Sequence, residues 1–196
     1  GKTYYLATLL LPKNKRPYVH ALYGFARYAD EIVDDLASTL SPAEKAEALR
    51  SWSSGVLTDL KAGTSTDHIG RALVDTARKF DIPHQHFVDF LHSMEMDLTV
   101  TEYHTYEDLL EYVYGSAAVI GLEMVPILGY SDQRAFDAAK KLGIAFQLAN
   151  FIRDVGEDLD RGRVYLPLQE LAQFGVDREM LERRVLTPEI IAALKF

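Results

Sequence analysis

The chain has no cysteine. That removes disulfides, a thiolate nucleophile, iron–sulfur clusters and cysteine-based zinc sites, and it agrees with a cytoplasmic protein. Basic charge is scarce: 21 Lys and Arg stand against 29 Asp and Glu, a net charge of −8. Nucleic acid requires a basic footprint, so no nucleic-acid partner is expected. An acidic protein can still take an anionic ligand where divalent ions mediate. The six histidines make no His-Glu-x-x-His pattern, and His84 and His86 point to different helix faces. Walker loop and dinucleotide fingerprint are both missing. Gly115-Ser116-Ala117 lacks the strand–turn–helix setting of a nucleophile elbow. Long hydrophobic runs are missing too. The longest, residues 117–128, is broken by Gly121, Glu123 and Pro126 and is too short to span a bilayer. The opening Gly1-Lys2-Thr3-Tyr4-Tyr5 does not read as a leader.

What is present is helical periodicity. Of the 196 residues 48% are hydrophobic, enough for one sizeable core, and they recur at helical spacing. The pattern predicts an all-α bundle with helices over residues 3–11, 18–36, 42–61, 67–80, 84–98, 106–129 and 133–161. The helix over 133–161, capped by Ser131-Asp132 and apolar from Ala135 to Ala149, is expected to be the central one. A short helix over 168–174 and another opening at Thr187-Pro188-Glu189 complete the series. Ser41-Pro42-Ala43-Glu44 carries an N-cap, a first-turn proline and a capping-box glutamate. Residues 1–196 read as a single domain. Its last segment, Ile190 to Leu194, is an apolar helix that stops without a cap, so the functional domain is expected to be longer at the C-terminus.

The chain is organised around Asn150, Asp154 and Asp158, which stand at i, i+4 and i+8. On a helix, successive members lie about 40° apart and about 6 Å along the axis, so the three oxygen-bearing side chains form one ladder. Gln147 and Arg153 flank it. Upstream, Asp30 and Asp34 form a second ladder, and Tyr23 and Arg27 extend its face backwards. Close carboxylates repel each other, and hard cations such as Mg²⁺ relieve that repulsion through oxygen ligands shared with phosphates. Two such ladders facing across a gap could hold divalent ions and a diphosphate between them. A solvated helix face is the plainer reading of either ladder alone. The small-residue run Gly115-Ser116-Ala117-Ala118 admits either a neighbouring helix or an apolar ligand tail.

Three segments together resemble the squalene/phytoene synthase family, in particular its bacterial phytoene synthases. They are Asp30-x3-Asp34; Tyr112-Val113-Tyr114-Gly115-Ser116-Ala117-Ala118-x2-Gly121-Leu122; and Asn150-Phe151-Ile152-Arg153-Asp154-x3-Asp158-x2-Arg161-Gly162-Arg163-x-Tyr165-Leu166-Pro167. The resemblance implies a class I isoprenoid synthase-like bundle around a central cavity, with further C-terminal helices that this stretch lacks. It implies head-to-head condensation of two geranylgeranyl diphosphates through a cyclopropyl (prephytoene) diphosphate to phytoene, a prenyltransferase activity. The implied cofactor is Mg²⁺ or Mn²⁺, with NADPH not expected. Asp30, Asp34, Asn150, Asp154 and Asp158 are implied at the metal site. Tyr23 and Tyr165 join the aspartates as catalytic residues, and Thr3, Arg27, Tyr112, Gln147, Asn150 and Arg153 are implied as substrate-binding. The face of Tyr4 and Thr8 is placed against the prenyl tail, and the loop carrying Arg161, Arg163 and Tyr165 is expected as a mobile lid. Peripheral membrane contact would serve product release. The alternatives are a farnesyl-using squalene or dehydrosqualene synthase, a terpene cyclase, whose ladder has the same spacing but ends in Glu, and a non-catalytic scaffold relative.

Overall fold

The computed structural model describes residues 2–34 and 39–196, with side chains from Tyr4 onward; Gly1, residues 35–38 and the side chain of Thr3 lie outside the described residues. Among the described residues the helices are α1 (Lys2–Leu9), α2 (Arg16–Asp34), α3 (Pro42–Ala62), α4 (His68–Phe80), α5 (His84–Met96) and α6 (Tyr106–Val113), then α7 (Val119–Leu128), α8 (Arg134–Asp160), α9 (Leu168–Gln173), α10 (Arg178–Glu182) and α11 (Pro188–Lys195). A π-helical turn, Tyr114–Ala118, joins α6 to α7. One isolated parallel bridge, Glu102 to Val164, stands in place of any sheet among these residues.

The helix starts follow from their caps. Ser41 and Glu44 form the reciprocal capping box at α3, and Thr105 and Asp108 form another at α6. Asp67 caps α4 by accepting the Gly70 N–H at 2.8 Å, and Thr187 caps α11. Helix α10 had no expectation attached to it; its five residues begin at the Asp177 cap. The expected extension of α2 to Leu36 falls outside the described residues.

The main core gathers Val19, Leu22, Phe25 and Val33 of α2 against Leu49, Val56 and Leu60 of α3, Leu73 and Val74 of α4, and Phe87 and Phe90 of α5. Phe25 is fully buried among Trp52, Phe87 and Phe90. A second cluster of Tyr103, Tyr112, Phe151 and Tyr165 joins α6 and α8 to the loop after α8. A third, of Val164, Leu171, Val176, Leu181 and Ile190, ties α9 to α11.

The small-residue run admits a neighbouring helix, the first of its two readings. A Cβ on Gly115 would meet the Asp89 carbonyl oxygen at 2.2 Å, so this glycine is where α5 seats on the π turn. Ser116 and Ala117 line the groove between α7 and α8, the Ala117 carbonyl lying against Gly143. Gly115→Ala forces backbone to move and is expected to destabilise by about 1–3 kcal/mol, the usual range for overpacking. Thermal melting checks it, and an unchanged midpoint would show the helices free to separate there.

Two expectations change. Residues 106–128 form one continuous helix, 23 residues long and apolar enough by length and composition to cross a membrane, so the run is not as short as residues 117–128 suggested. It packs on α2, α5 and α8, which is how a core helix behaves. Helix α8, expected at the centre, buries only Phe151 fully. It leans on α7 and the π turn and leaves Leu142 54% and Phe146 63% exposed.

Candidate active site

The two ladders share one cavity of about 400 Å³. Helix α2 brings Tyr23, Arg27, Asp30 and Asp34 to it, and α8 brings Gln147, Asn150, Asp154 and Asp158. Tyr112 arrives from α6, and Arg161, Arg163 and Tyr165 from the end of α8 and the loop beyond. The helical spacing of each ladder is what puts its members on one wall. Arg153 is not on the wall; it reaches the cleft only through Asp154, to which it donates two bonds of 2.6 Å. Thr3, whose side chain lies outside the described residues, has no place to report.

Arginines hold the carboxylates. Arg27 donates to Asp30 at 2.6 Å, Arg161 donates to Asp34 at 2.8 Å, and Arg163 approaches Asp34 at 3.4 Å. Burial pushes the Asp30 carboxyl up, and the neighbouring Asp34 adds to the rise. Asp158 is pushed up to about 6, first by burial and then by Asp154. The Arg153 hydrogen bonds hold Asp154 below the usual carboxylate range.

Asp34, Asp30, Asn150, Asp154 and Asp158 present oxygen donors only, the set that hard divalent ions prefer. Burial is the larger cause of the upward push on Asp30 and Asp158, and the part added by Asp34 and Asp154 is negative charge that a cation would neutralise. Among the described residues no three acidic or histidine side chains converge closely enough to hold an ion unaided. The donor set therefore fits ions that share their coordination with water and a bound diphosphate, as Mg²⁺ does.

Asp97 was not singled out by its sequence. It follows α5 with no acidic partner one turn away, and its contacts come from far along the chain. Its side chain is 9% exposed. It accepts the Tyr112 hydroxyl at 2.9 Å and the Tyr165 hydroxyl at 2.8 Å, and Arg163 donates to its main-chain oxygen at 2.8 Å. Tyr165 stacks on Phe151, ring centroids 4.4 Å apart. The loop expected as a mobile lid is thereby fastened: Arg163 is held by Asp97, and Val164 donates to the Thr101 carbonyl at 2.8 Å.

An apolar groove runs between α7 and α8, lined by Ile120, Met124, Leu128, Leu142 and Phe146. Ser116 and Gln147 belong to both its wall and that of the acidic cleft, so the two spaces meet there. Thr8 lies on neither. It is 2% exposed and donates to the Tyr4 carbonyl at 2.9 Å, while the Tyr4 ring stacks on Tyr23 and its hydroxyl donates to Val19. The expectation that Thr8 borders the tail is corrected accordingly: its hydroxyl is satisfied inside the helix packing.

A family model described as squalene/phytoene synthase matches residues 1–196. The chain is 42% identical to phytoene synthase 2, chloroplastic, of Zea mays over 95% of its own length and 47% of that protein's. It is 41% identical to phytoene synthase 1, chloroplastic, of Arabidopsis thaliana, covering 91% and 43%. The chain thus spans about half the length of the curated relatives it matches. Among solved structures, a dehydrosqualene synthase in complex with ligand superposes with a TM-score of 0.87 at 33% identity, over 100% of this chain and 66% of the other. Squalene synthase HpnC from Alicyclobacillus acidocaldarius superposes at 0.88 with 27% identity, over 98% and 71%.

Proposed function

Starting from the fact that the chain belongs to the squalene/phytoene synthase family, we propose that it serves the head-to-head condensation of two geranylgeranyl diphosphates, through a cyclopropyl diphosphate, to phytoene. The observation that carries this reading is the junction at Ser116 and Gln147. An acidic, arginine-lined cleft opens there into an apolar groove, matching a substrate with a diphosphate head and a hydrocarbon tail. The phytoene synthases at 42% and 41% identity support the C20 substrate over the C15 one.

Mg²⁺ or Mn²⁺, held by Asp30, Asp34, Asn150, Asp154 and Asp158, would supply Lewis-acid charge to the departing diphosphate. The chain's own residues do the rest. Arg27, Arg161 and Arg163 are already at the cleft, each on a carboxylate, and can turn to phosphate oxygens with the same forked geometry. Charge that develops on the leaving group meets donors fixed beforehand. Tyr23, Tyr112, Tyr165, Phe90 and Phe151 offer ring faces to the carbocation left behind and keep water from it. Phytoene forms by proton loss with no reduction, in keeping with NADPH not being required. The C40 product is apolar, and peripheral membrane contact of a cytoplasmic protein would receive it; exposed Leu6 and Leu10 stand near the basic turn at Lys13.

The test is product analysis of the full-length protein with Mg²⁺ and no NADPH. Geranylgeranyl diphosphate should give a C40 hydrocarbon in larger yield than farnesyl diphosphate gives C30. C30 alone would transfer the assignment to a dehydrosqualene synthase, and no product from either would favour a scaffold relative.

A further inference from the structure

The proposed reaction ends in loss of a proton from a C40 cation, and the cleft that shields the cation from water also withholds water as the base. The proton must go to the released diphosphate or to a group on the wall, and the wall offers a candidate. Five aspartates line the cleft. Four belong to the two ladders, face arginines or one another, and are committed to the diphosphate end. The fifth is Asp97. Both of its carboxylate oxygens accept tyrosine hydroxyls, Oδ1 from Tyr165 and Oδ2 from Tyr112. Both tyrosines line the cleft, and Tyr112 lies one turn before Ser116, where the polar and apolar spaces meet. A phenol that donates to a carboxylate leaves its oxygen electron-rich and able to accept in turn, and the Tyr165 oxygen already accepts from Arg163 at 3.3 Å.

We propose that Asp97, acting through the hydroxyls of Tyr112 and Tyr165, is the final acceptor of the proton lost when the hydrocarbon forms. This inference rests on the functional reading above. In the step, a C–H bond beside the cationic carbon breaks and its electron pair becomes the new carbon–carbon double bond. The proton passes to a tyrosine oxygen as that tyrosine's own proton passes to the Asp97 carboxylate. The hydrocarbon leaves neutral, and Asp97 returns its proton to water when the cleft reopens. The surroundings suit the task. Tyr112 faces Asp97 from α6, Tyr165 and Arg163 from the loop after α8, and Asp34 from α2; Tyr103 adds a further ring. Burial lifts the Asp97 carboxyl to about 6, against the pull of Arg163 and the two hydroxyls. It is therefore ionised at neutral pH and a stronger base than an ordinary aspartate. The tyrosines are themselves raised by burial and by Asp97, so they pass a proton along without resting as phenolates.

Asp97 acts through other residues and is a positioning and relay residue, so its test separates the two halves of the reaction. Asp97→Asn keeps the shape and can still accept one hydroxyl, but it cannot take the proton. Ring closure to the cyclopropyl diphosphate also sheds a proton, which the diphosphate released in that step can take. Consumption of geranylgeranyl diphosphate and its KM should therefore stay within about threefold of wild type, while C40 hydrocarbon release falls about 100-fold, the lower range for losing general-base assistance. Cyclopropyl diphosphate should accumulate instead. The double variant Tyr112→Phe/Tyr165→Phe, which keeps the ring faces, should also lower hydrocarbon release, and Asp97→Glu, a carboxylate in Asp97's place, should recover part of the hydrocarbon. Equal loss of both half-reactions with a lowered melting temperature would make Asp97 merely structural and overturn the proposal, as would unchanged hydrocarbon output. A wild-type protein that consumes no prenyl diphosphate would refute the functional reading and this proposal with it; an active wild type with an indifferent Asp97→Asn would refute the proposal alone.

Discussion

Asp154→Asn is expected to leave the fold intact and lower turnover with Mg²⁺ about 10³-fold, on the scale of removing one preorganised electrostatic contact to a developing charge. The asymmetry follows from what the carboxylate does in each state. In the ligand-free fold Asp154 is paired with Arg153, whose side chain is 69% exposed, and exposed pairs contribute little to stability. During the reaction the same carboxylate would belong to the donor set that holds the cation against the leaving diphosphate, where no water can substitute. Asp30→Asn makes the complementary case. Burial and Asp34 already disfavour its charge, so neutralising it relieves repulsion, and the melting temperature should hold or rise while turnover collapses. Steady-state turnover and thermal melting on both variants check this, and undiminished turnover in Asp154→Asn would remove the ladder from the chemistry.

Periodicity carried most of this site. Spacing of four placed Asp30 with Asp34, and Asn150 with Asp154 and Asp158, and the helices deliver each set to one wall. A regular element converts sequence interval into direction, so a ladder within one helix is legible. What joins the ladders is not. Arg161 meets Asp34 across 127 positions, and Arg163 meets Asp97 across 66. No local rule sets such a pairing; it depends on how α8 closes against α2 and α5. Asp97 went unremarked for that reason, and Arg153, which the resemblance implied as substrate-binding, turns onto Asp154 and away from the cleft wall.

The fold divides along the same line. Capping chemistry is local, and Ser41, Asp67 and Thr187 start their helices as their side chains dictate. Burial is collective. The apolar stretch through α8 suggested a central helix, yet Leu142 and Phe146 stand half-exposed or more beside the groove. Thr8 likewise looked like a cavity wall on its helix face, but packing gave it to the Tyr4 carbonyl.

Glu123 is the second residue where a large effect is expected, and here the effect is on stability. It sits on α7 between Val119 and Ile127, all three fully or almost fully buried, and neither carboxylate oxygen has a hydrogen-bond partner. Burial alone pushes its carboxyl up to about 8. For an acid whose folded value lies above its unfolded one, the stabilising protonated form is complete below the unfolded value and is lost as pH rises to the folded one. Stability should therefore decline from about pH 4.5 to about pH 8 and then level. The lower half of that window also contains Asp97 and Asp158, both at about 6. His86, held low by burial, titrates in its unfolded form near 6.5, so the stretch from pH 7 to 8 reads Glu123 best, and at up to about 1.4 kcal/mol per pH unit the decline there is about 1 kcal/mol. Glu123→Gln should abolish this slope while keeping the unpartnered polar atoms. Glu123→Met should abolish it and add about 1–3 kcal/mol at every pH, the desolvation penalty of a buried unsatisfied group. Over the whole window the charge penalty at pH 8 is about 4 kcal/mol, so the gain for Glu123→Met there is about 5–7 kcal/mol, a rise in melting temperature of about 10–25 °C for a chain of this size. Denaturant melts of wild type and both variants between pH 7 and 8 decide it. A wild-type curve as flat as that of Glu123→Gln would mean that the carboxyl has found a partner and carries its charge without penalty.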